Sequence, residues 1–179
     1  ELPGMKDDAE YDKPFTINPE NTLVMARGIG STVKTGNLSW RVACLNLENQ
    51  GYTLINSVIC HDICNDKWYN QIIFQQNDIR TPNTVLVRHS EGAEDAAKRL
   101  GNKFPMILKT AVGSRGVGVI WIESLKSLHS TIQLLHREDE FVDVLLQEYI
   151  KTDYDVRVII ASGKILGAIK RPVIGDDFR

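Results

Sequence analysis

The stretch "KTAVGSRGVGVIWIE", residues 109–123, restricts the fold of this chain more than any other segment. An apolar run ends in Lys109, the chain turns through Gly113, Gly116 and Gly118, and a second apolar run follows at once. Short apolar runs joined by glycines are typical of a β-hairpin. The sequence therefore predicts two strands joined by a tight, glycine-rich loop.

The loop of this hairpin has two interpretations. Glycines leave room for several backbone N–H groups to approach an anion, and Lys109 at the strand end adds a fixed positive charge. The stretch is not a P-loop, since no Gly-Lys-Ser/Thr follows the glycines and a strand, rather than a helix N-terminus, comes next. Phosphate binding is one interpretation, and an ordinary glycine-rich turn is the other.

A second informative stretch is "LLQEYIKTDYDVRV", in which charged residues follow an apolar strand. Glu148 at the strand exit is able to accept a hydrogen bond from an exocyclic amine, and Asp155 is able to accept bonds from ribose hydroxyls. Solvated charges at a strand end are the alternative for both. Tyr149 and Ile150 are expected in a core or a pocket wall, and Arg157 is either a site residue or a structural ion-pair partner.

The hydrophobic pattern predicts a mixed α/β chain whose C-terminal half is rich in antiparallel hairpins. Short strands and helices alternate up to about residue 100. Five apolar segments follow, with an amphipathic helix at residues 124–138, Ser124 as its N-cap, and a hairpin turn at Gly163. The polar, proline-containing first 21 residues are expected to form an irregular arm.

Composition excludes several classes of protein. The net charge of −2 argues against a dedicated nucleic-acid binder, which needs a basic face. No apolar run approaches the roughly 20 residues of a membrane helix, and the N-terminus does not resemble a secretory signal. We therefore expect no nucleic-acid or membrane partner.

The three cysteines cannot all pair with one another, which favours a reduced, cytoplasmic setting. In "CHDIC", Cys60, His61 and Cys64 are able to supply part of a zinc site, but a structural zinc needs four ligands and no second knuckle is present. Two small buried side chains one helical turn apart are the alternative, and we predict no metal site in this chain.

Several further stretches follow one another along the chain: "ARGIGS", "CNDKW", "FPMILKTAVGSRGVGV", "LLQEYI", "YDVRVII" and "GAIKRPVIGDDFR". In this order they resemble the motifs of the ATP-grasp superfamily, and most closely those of its RimK-type glutamate ligases. The resemblance covers about residues 22–179. It implies a partial ATP-grasp fold of the α/β class, with an arm at residues 1–21, part of a small α/β pre-ATP-grasp lobe at residues 22–78, and an incomplete ATP-grasp domain of antiparallel subdomains at residues 79–179.

The resemblance also implies roles for individual residues. Lys67 and Lys109 correspond to the two lysines that hold the ATP phosphates, next to the loop glycines. Glu148 and Tyr149 correspond to the hinge that meets the adenine, and Asp155 to the carboxylate that meets the ribose. Arg179, in "DFR", corresponds to the catalytic arginine over the phosphates and the reacting carboxylate. Arg27 in "ARGIGS" is assigned more loosely to the acceptor side.

The activity implied is ATP-dependent carboxylate–amine ligation through an acyl phosphate, with an amino acid, peptide or protein as acceptor. The family's Mg²⁺ ligands follow the "DFR" motif, so we expect them beyond Arg179, and we expect a piece of such an enzyme or a shortened homologue that binds ATP weakly on its own. A nucleotide-binding or assembly module without turnover is the alternative function, and a kinase-like phosphotransferase would differ only in the acceptor. The oligomeric state is not readable from the sequence.

Overall fold

The structure is a computed structural model, and it describes residues 17–26, 37–113, 118–140 and 142–174. The chain divides into two compact units, Glu1–Asp62 and Ile63–Arg179. The sequence placed the lobe boundary after residue 78, and that boundary stays a prediction. The α/β class and the antiparallel C-terminal half are confirmed by the elements below.

The first unit contains a β–α–β arrangement. Its elements are β1 (Leu23–Met25), α1 (Asn37–Asn49) and β2 (Thr53–Ile55), followed by α2 (Val58–Asn65), in which the chain passes into the second unit. β1 and β2 pair in parallel, with Val24 opposite Leu54. A small core of Cys44, Tyr52, Leu54 and Val58 lies beneath them. The Ser57 hydroxyl accepts a hydrogen bond from the Cys60 N–H at 3.3 Å and so caps α2.

The second unit is built around a four-stranded antiparallel sheet in the order β3-β6-β4-β5. The strands are β3 (Thr84–Val87), β4 (Met106–Thr110), β5 (Val119–Ile122) and β6 (Val144–Glu148). Its helices are α3 (Lys67–Gln76), α4 (Ala93–Arg99) and α5 (Leu125–Glu138). β4 and β5 form the predicted glycine-rich hairpin, with Lys109 opposite Val119.

Side chains alternate between the two faces of this sheet, because successive residues of a strand point to opposite sides. One face is the main core, where strand residues such as Leu108 and Leu146 pack with Ala96 of α4 and with Leu128 and Ile132 of α5. The opposite face carries the intervening residues of the same strands, which are listed here in strand order: Thr84, Leu86, Gln147, Leu145, Ile107, Lys109, Trp121 and Val119. We call this second surface the open face.

Local sequence signals account for the ends of the helices. Ser124 and Ser127 form a reciprocal capping box at the start of α5, which confirms the predicted N-cap. Asp66 caps α3 by accepting from the N–H groups of Trp68 and Tyr69. A 3-10 turn, Ser90–Gly92, precedes α4, so that helix begins later than its acidic residues suggest. In the part of the chain that the structure describes, no helix is both long and apolar enough to cross a membrane.

The last two strands form a separate hairpin of β7 (Tyr154–Ala161) and β8 (Lys164–Pro172). Ser162 and Gly163 connect them with φ angles of 49° and 73°. Positive φ at both positions of a two-residue loop is typical of the turns that match strand twist, and glycine adopts it without steric cost. The turn predicted at Gly163 is therefore confirmed.

Candidate functional site

Lys109 lies near the end of β4 on the open face of the sheet. Its Nζ donates a hydrogen bond to Oε1 of Gln147 on the neighbouring strand β6, at 2.6 Å. Partial burial lowers the pKa of Lys109, and the positive charge of Lys67 lowers it further. Lys109 is thus a partly desolvated cation whose hydrogen-bond partner is a neutral oxygen.

Lys67 is the first residue of α3, and its backbone anchors that helix to the end of β4. The Lys67 N–H donates to the Ala111 carbonyl at 2.9 Å, and Asp66 forms a β-bridge with Val112. The Lys67 Nζ donates to the Thr110 carbonyl at 3.0 Å and to the Gly113 carbonyl at 3.0 Å. Burial lowers the pKa of Lys67, and the Asp66 charge partly opposes that effect.

The two lysines together form a locally positive site. The ion pairs that join described residues include neither Lys67 nor Lys109. Their ammonium groups instead bind carbonyl and amide oxygens, which carry no net charge. Both cations are partly buried, and the charge of Lys67 disfavours the ammonium form of Lys109. An incoming anion would favour the charged form of both groups. The arrangement is therefore suited to binding phosphate groups.

The loop between β4 and β5 begins and ends at this positive site. Gly113 contributes its carbonyl to Lys67, and Gly118 accepts from the Thr110 N–H at 3.0 Å. Gly118 has a φ of +77°, and a Cβ placed there would lie 2.6 Å from Oγ1 of Thr110. Glycine is required at position 118 both by the backbone conformation and by this close approach. Gly116, the third predicted loop glycine, lies outside the described residues.

Glu148 ends β6 opposite Met106, the first residue of β4. Glu148 is therefore three residue steps from the level of Lys109, about 10 Å along a strand, and it shares a face with Met106 and Leu146, whereas Lys109 lies on the open face. Its Oε1 accepts from the Asn83 backbone N–H at 2.8 Å and from the Asn83 side-chain amide at 3.0 Å. These bonds, the backbone one first, lower the pKa of Glu148. The carboxylate is thus held ionised and oriented at the end of the strand.

Tyr149 follows Glu148 and contacts an aromatic residue of β5. Its ring meets that of Trp121 edge-to-face, with the centroids 4.7 Å apart and the planes at 72°. Both residues are half-buried. Tyr149 therefore packs against Trp121, whereas Ile150, which was expected in the same core or wall, is 56% exposed.

Asp155 lies on the β7–β8 hairpin, directly opposite Arg171. Its two carboxylate oxygens accept from the Arg171 guanidinium at 2.7 Å and 2.6 Å, and this pairing lowers the pKa of Asp155. The structure records no bond from Asp155 to Lys67, Lys109 or Glu148, all of which are described. Arg157, two residues further along the same strand, is exposed.

The structure therefore brings Lys67, Lys109, Gly113 and Gly118 together, with Glu148 and Tyr149 further along the same sheet. Their predicted functional roles stay predictions. Arg179, the predicted catalytic arginine, and Arg27 lie outside the described residues.

The described residues do not provide an evident magnesium site. Among them, no three His, Cys, Asp or Glu side chains are grouped so as to hold a metal ion. None of the three cysteines is in a disulfide. The positive site itself is lined by cations and neutral oxygens, which do not fit a divalent cation without further ligands. We therefore derive no chemical step through a metal.

Three residues that sequence reasoning missed lie at the centre of the site. Gln147 binds Lys109, Asn83 holds Glu148, and Thr84 accepts from the Gln147 amide at 2.8 Å. The alternation of β6 carried the signal for Gln147, because every second residue of a strand shares a face. Which residues of β3 and β4 stand beside it depends on the register of strands far apart in sequence.

The comparisons with known proteins identify the class first. The chain has the fold of the "RimK domain protein ATP-grasp" from Sphaerobacter thermophilus, with a TM-score of 0.69, 18% identity, and coverage of 88% of this chain and 57% of that one. An ADP complex of N5-carboxyaminoimidazole ribonucleotide synthetase also matches, with a TM-score of 0.62, 17% identity, and coverage of 76% and 36%. Both likenesses show the ATP-grasp fold.

Residues 64–179 match the family model of the RimK-like ATP-grasp domain, and the chain belongs to this family. It is 27% identical over 172 residues to "Coenzyme gamma-F420-2:alpha-L-glutamate ligase" of Methanococcus maripaludis, which covers 92% of this chain and 58% of the relative. The chain spans about half the length of the curated relatives that it matches. The resemblance seen in the sequence motifs is thereby confirmed.

Proposed function

We propose that this chain carries the ATP-binding residues of a carboxylate–amine ligase that adds glutamate, or a similar amino acid, to an acceptor. The observation that carries the proposal is the pair Lys67 and Lys109. Two partly buried ammonium groups with lowered pKa values and neutral hydrogen-bond partners lie beside a glycine-containing loop. The name of the matched relative, a glutamate ligase, supports the choice of added amino acid.

The layout of the sheet supports one orientation of the nucleotide. Its phosphates would bind at Lys67, Lys109 and the loop, while its adenine would lie toward Glu148 and Tyr149. The two ends are separated along β4 and β6 by about 10 Å, so a nucleotide would extend along the open face toward Tyr149. The Glu148 side chain belongs to the opposite face of β6 and would meet the adenine at the end of the strand. The related fold that is solved with ADP supports an adenine nucleotide. Asp155 would bind the ribose only by sharing or leaving its Arg171 partner.

The proposed reaction has two steps. The γ-phosphoryl group of ATP passes to a substrate carboxylate, which gives an acyl phosphate and ADP. An amine then attacks the acyl carbon, the amide bond forms, phosphate leaves, and the amine loses a proton. Lys67 and Lys109 would stabilise the negative charge of the phosphates during the first step by preorganised electrostatics. Arg179 would face the same phosphates and the reacting carboxylate.

Three further parts of the proposal rest on the family alone or on composition. Mg²⁺ would accompany ATP, on ligands other than those of the described positive site. The acceptor would be an amino acid, a peptide or a protein tail. A cytoplasmic location is proposed from three cysteines outside disulfides, since thiols persist in reducing compartments.

The test is the affinity for ATP of the chain and of two lysine variants, measured by calorimetry. Lys109→Ala should weaken ATP binding by about 1.5–3 kcal/mol, the contribution of a hydrogen bond to a charged group, with an unchanged melting temperature. Lys126→Ala, which removes an exposed lysine of α5, is the matched control and should bind as the parent does. Equal affinity for ATP in Lys109→Ala and Lys126→Ala would contradict the proposal that the site binds the phosphates.

A further inference from the structure

Three side chains on three neighbouring strands form a hydrogen-bonded row on the open face. Lys109 of β4 donates to Oε1 of Gln147 on β6 at 2.6 Å, and Nε2 of Gln147 donates to Oγ1 of Thr84 on β3 at 2.8 Å. All three residues are half-buried. Gln147 lies opposite both Thr84 and Ile107, so Lys109 reaches it diagonally across the β4–β6 pair.

The row determines which way the Gln147 amide faces. An ammonium group only donates hydrogen bonds, so the oxygen of the amide must face Lys109. The amide nitrogen then faces Thr84, whose hydroxyl oxygen is able to accept. Each donor in the row therefore faces an acceptor on the neighbouring strand. The Lys109 side chain is therefore oriented toward Gln147 by this hydrogen bond.

We propose that Gln147 is a positioning residue that holds the Lys109 ammonium at the phosphate site through a neutral oxygen, so that the charge of the lysine remains available to the anion. This proposal rests on the proposed function, in which Lys109 binds ATP phosphates. A carboxylate at position 147 would orient Lys109 equally well. The carboxylate would also neutralise the charge of Lys109. The phosphates would then meet one uncompensated positive charge, that of Lys67, instead of two.

The arrangement around Gln147 favours the neutral side chain. Burial and the charge of Lys67 already disfavour the ammonium form of Lys109. A carboxylate partner would offset this effect, whereas a neutral amide does not. The site thus keeps two mutually repelling cations whose interaction improves when an anion binds between them. An amide aligns the lysine without removing that driving force.

Four variants test this role. Gln147→Glu keeps the length and the acceptor but adds a negative charge, and Gln147→Met keeps the approximate length and removes the acceptor. Thr84→Val removes the hydroxyl that holds the amide nitrogen. Gln133→Glu, on the exposed side of α5, makes the same charge change away from the site and is the matched control. Melting temperatures without ligand verify that each variant folds.

Two measurements separate positioning from a general structural role. The pKa of Lys109, read by NMR on ¹³C-labelled lysine, should rise by about one unit in Gln147→Glu, as expected for an adjacent opposite charge, and should fall in Gln147→Met. Affinity for ATP and for inorganic tripolyphosphate should nevertheless decrease in both variants, by about tenfold in Gln147→Glu, the equivalent of one pKa unit. Thr84→Val should show a smaller loss, and Gln133→Glu none.

The outcomes distinguish the inference from the function on which it rests. Opposite pKa shifts with weaker binding in both Gln147 variants support the positioning role. Parent-like binding of tripolyphosphate by Gln147→Glu, or an unchanged Lys109 pKa in that variant, overturns the inference while leaving ATP binding intact. A parent chain with no affinity for ATP or tripolyphosphate overturns the proposed function, and the role of Gln147 with it.

Discussion

Lys67 begins helix α3 and Lys109 is the penultimate residue of strand β4, and the charge of Lys67 lowers the pKa of Lys109. A hydrogen bond connects the two elements directly. The Lys67 ammonium binds the carbonyl of Thr110, the residue that follows Lys109 in β4. The helix start and the strand end therefore converge on one small region, and each places a cation there.

This relationship predicts proton uptake when ATP binds at alkaline pH. Both lysines have pKa values below the ordinary 10.5 in the free protein, and phosphate oxygens favour the ammonium form and raise those values. Between the free and bound pKa values, binding should therefore take up protons, and affinity should fall as the pH rises. At pH values below both free-protein pKa values the two groups are already protonated, so the uptake should vanish. Calorimetry in buffers of different protonation enthalpy measures it.

Lys109→Ala supplies the control for this pH dependence. It removes one of the two titrating groups, so the alkaline proton uptake should decrease. Uptake that is the same in the parent and in Lys109→Ala would assign the effect to other groups.

Glu148→Gln should reduce the preference for adenine nucleotides more than it reduces the affinity for phosphate groups. The ionised carboxylate is proposed to accept from the adenine amine, which guanine does not offer at that position, whereas the amide still accepts from Asn83 through its oxygen. A competition titration with ATP and GTP measures the ratio of affinities. Glu140→Gln, at an exposed position, should leave that ratio unchanged. Equal losses for ATP and GTP in Glu148→Gln would argue against an adenine contact.

Gly118→Ala should destabilise the protein by at least about 1–2 kcal/mol, the cost of a left-handed backbone for a residue with a side chain. The added methyl group would also meet the Thr110 hydroxyl at 2.6 Å. Gly92→Ala is the matched control, because nothing lies within 4 Å of a Cβ at that position and its φ is −79°. Urea denaturation should show a lower free energy of unfolding for Gly118→Ala and little change for Gly92→Ala. A stable Gly118→Ala protein would mean that the loop end adjusts freely.

Leu128→Ala should lower the free energy of unfolding by about 2–5 kcal/mol, as large-to-small changes in a core do. Leu128 is fully buried on α5 against the sheet, whereas Leu134 on the same helix is 57% exposed. Leu134→Ala should therefore change stability by no more than about 0.5 kcal/mol. The two denaturation curves test which face of α5 packs on the sheet. Similar decreases in the free energy of unfolding for both variants would contradict the packing of Leu128 against the sheet.

Much of the local structure was predictable because its causes lie within a few residues. Ser124 caps α5 through its own neighbours, and Ser162 with Gly163 makes a turn that few other residue pairs favour. The short continuous apolar runs of β4 and β6, bounded by turn residues, likewise predict buried strands. The ordered motifs then indicate the family, which the comparisons confirm.

Other features depend on contacts between residues distant in the chain. The sequence left Glu148 and Asp155 as acceptors for a nucleotide or as solvated charges, and the structure pairs them with Asn83 and Arg171. Asn83 stands 65 positions before Glu148. No local pattern reveals such a partner, since it is set by which strands pair and in which register.

The sequence by itself determined that Lys109 follows a short apolar strand segment and precedes a glycine-rich turn, because apolar runs and glycine conformations act over a few residues. Only the tertiary structure decided that Gln147, 38 positions away, binds that lysine, and that Lys67 adds its charge nearby. The physical reason is that strand register and helix placement follow from burying the face of the sheet that contains Leu108 and Leu146. The side chains that meet on the opposite face are a consequence of that packing.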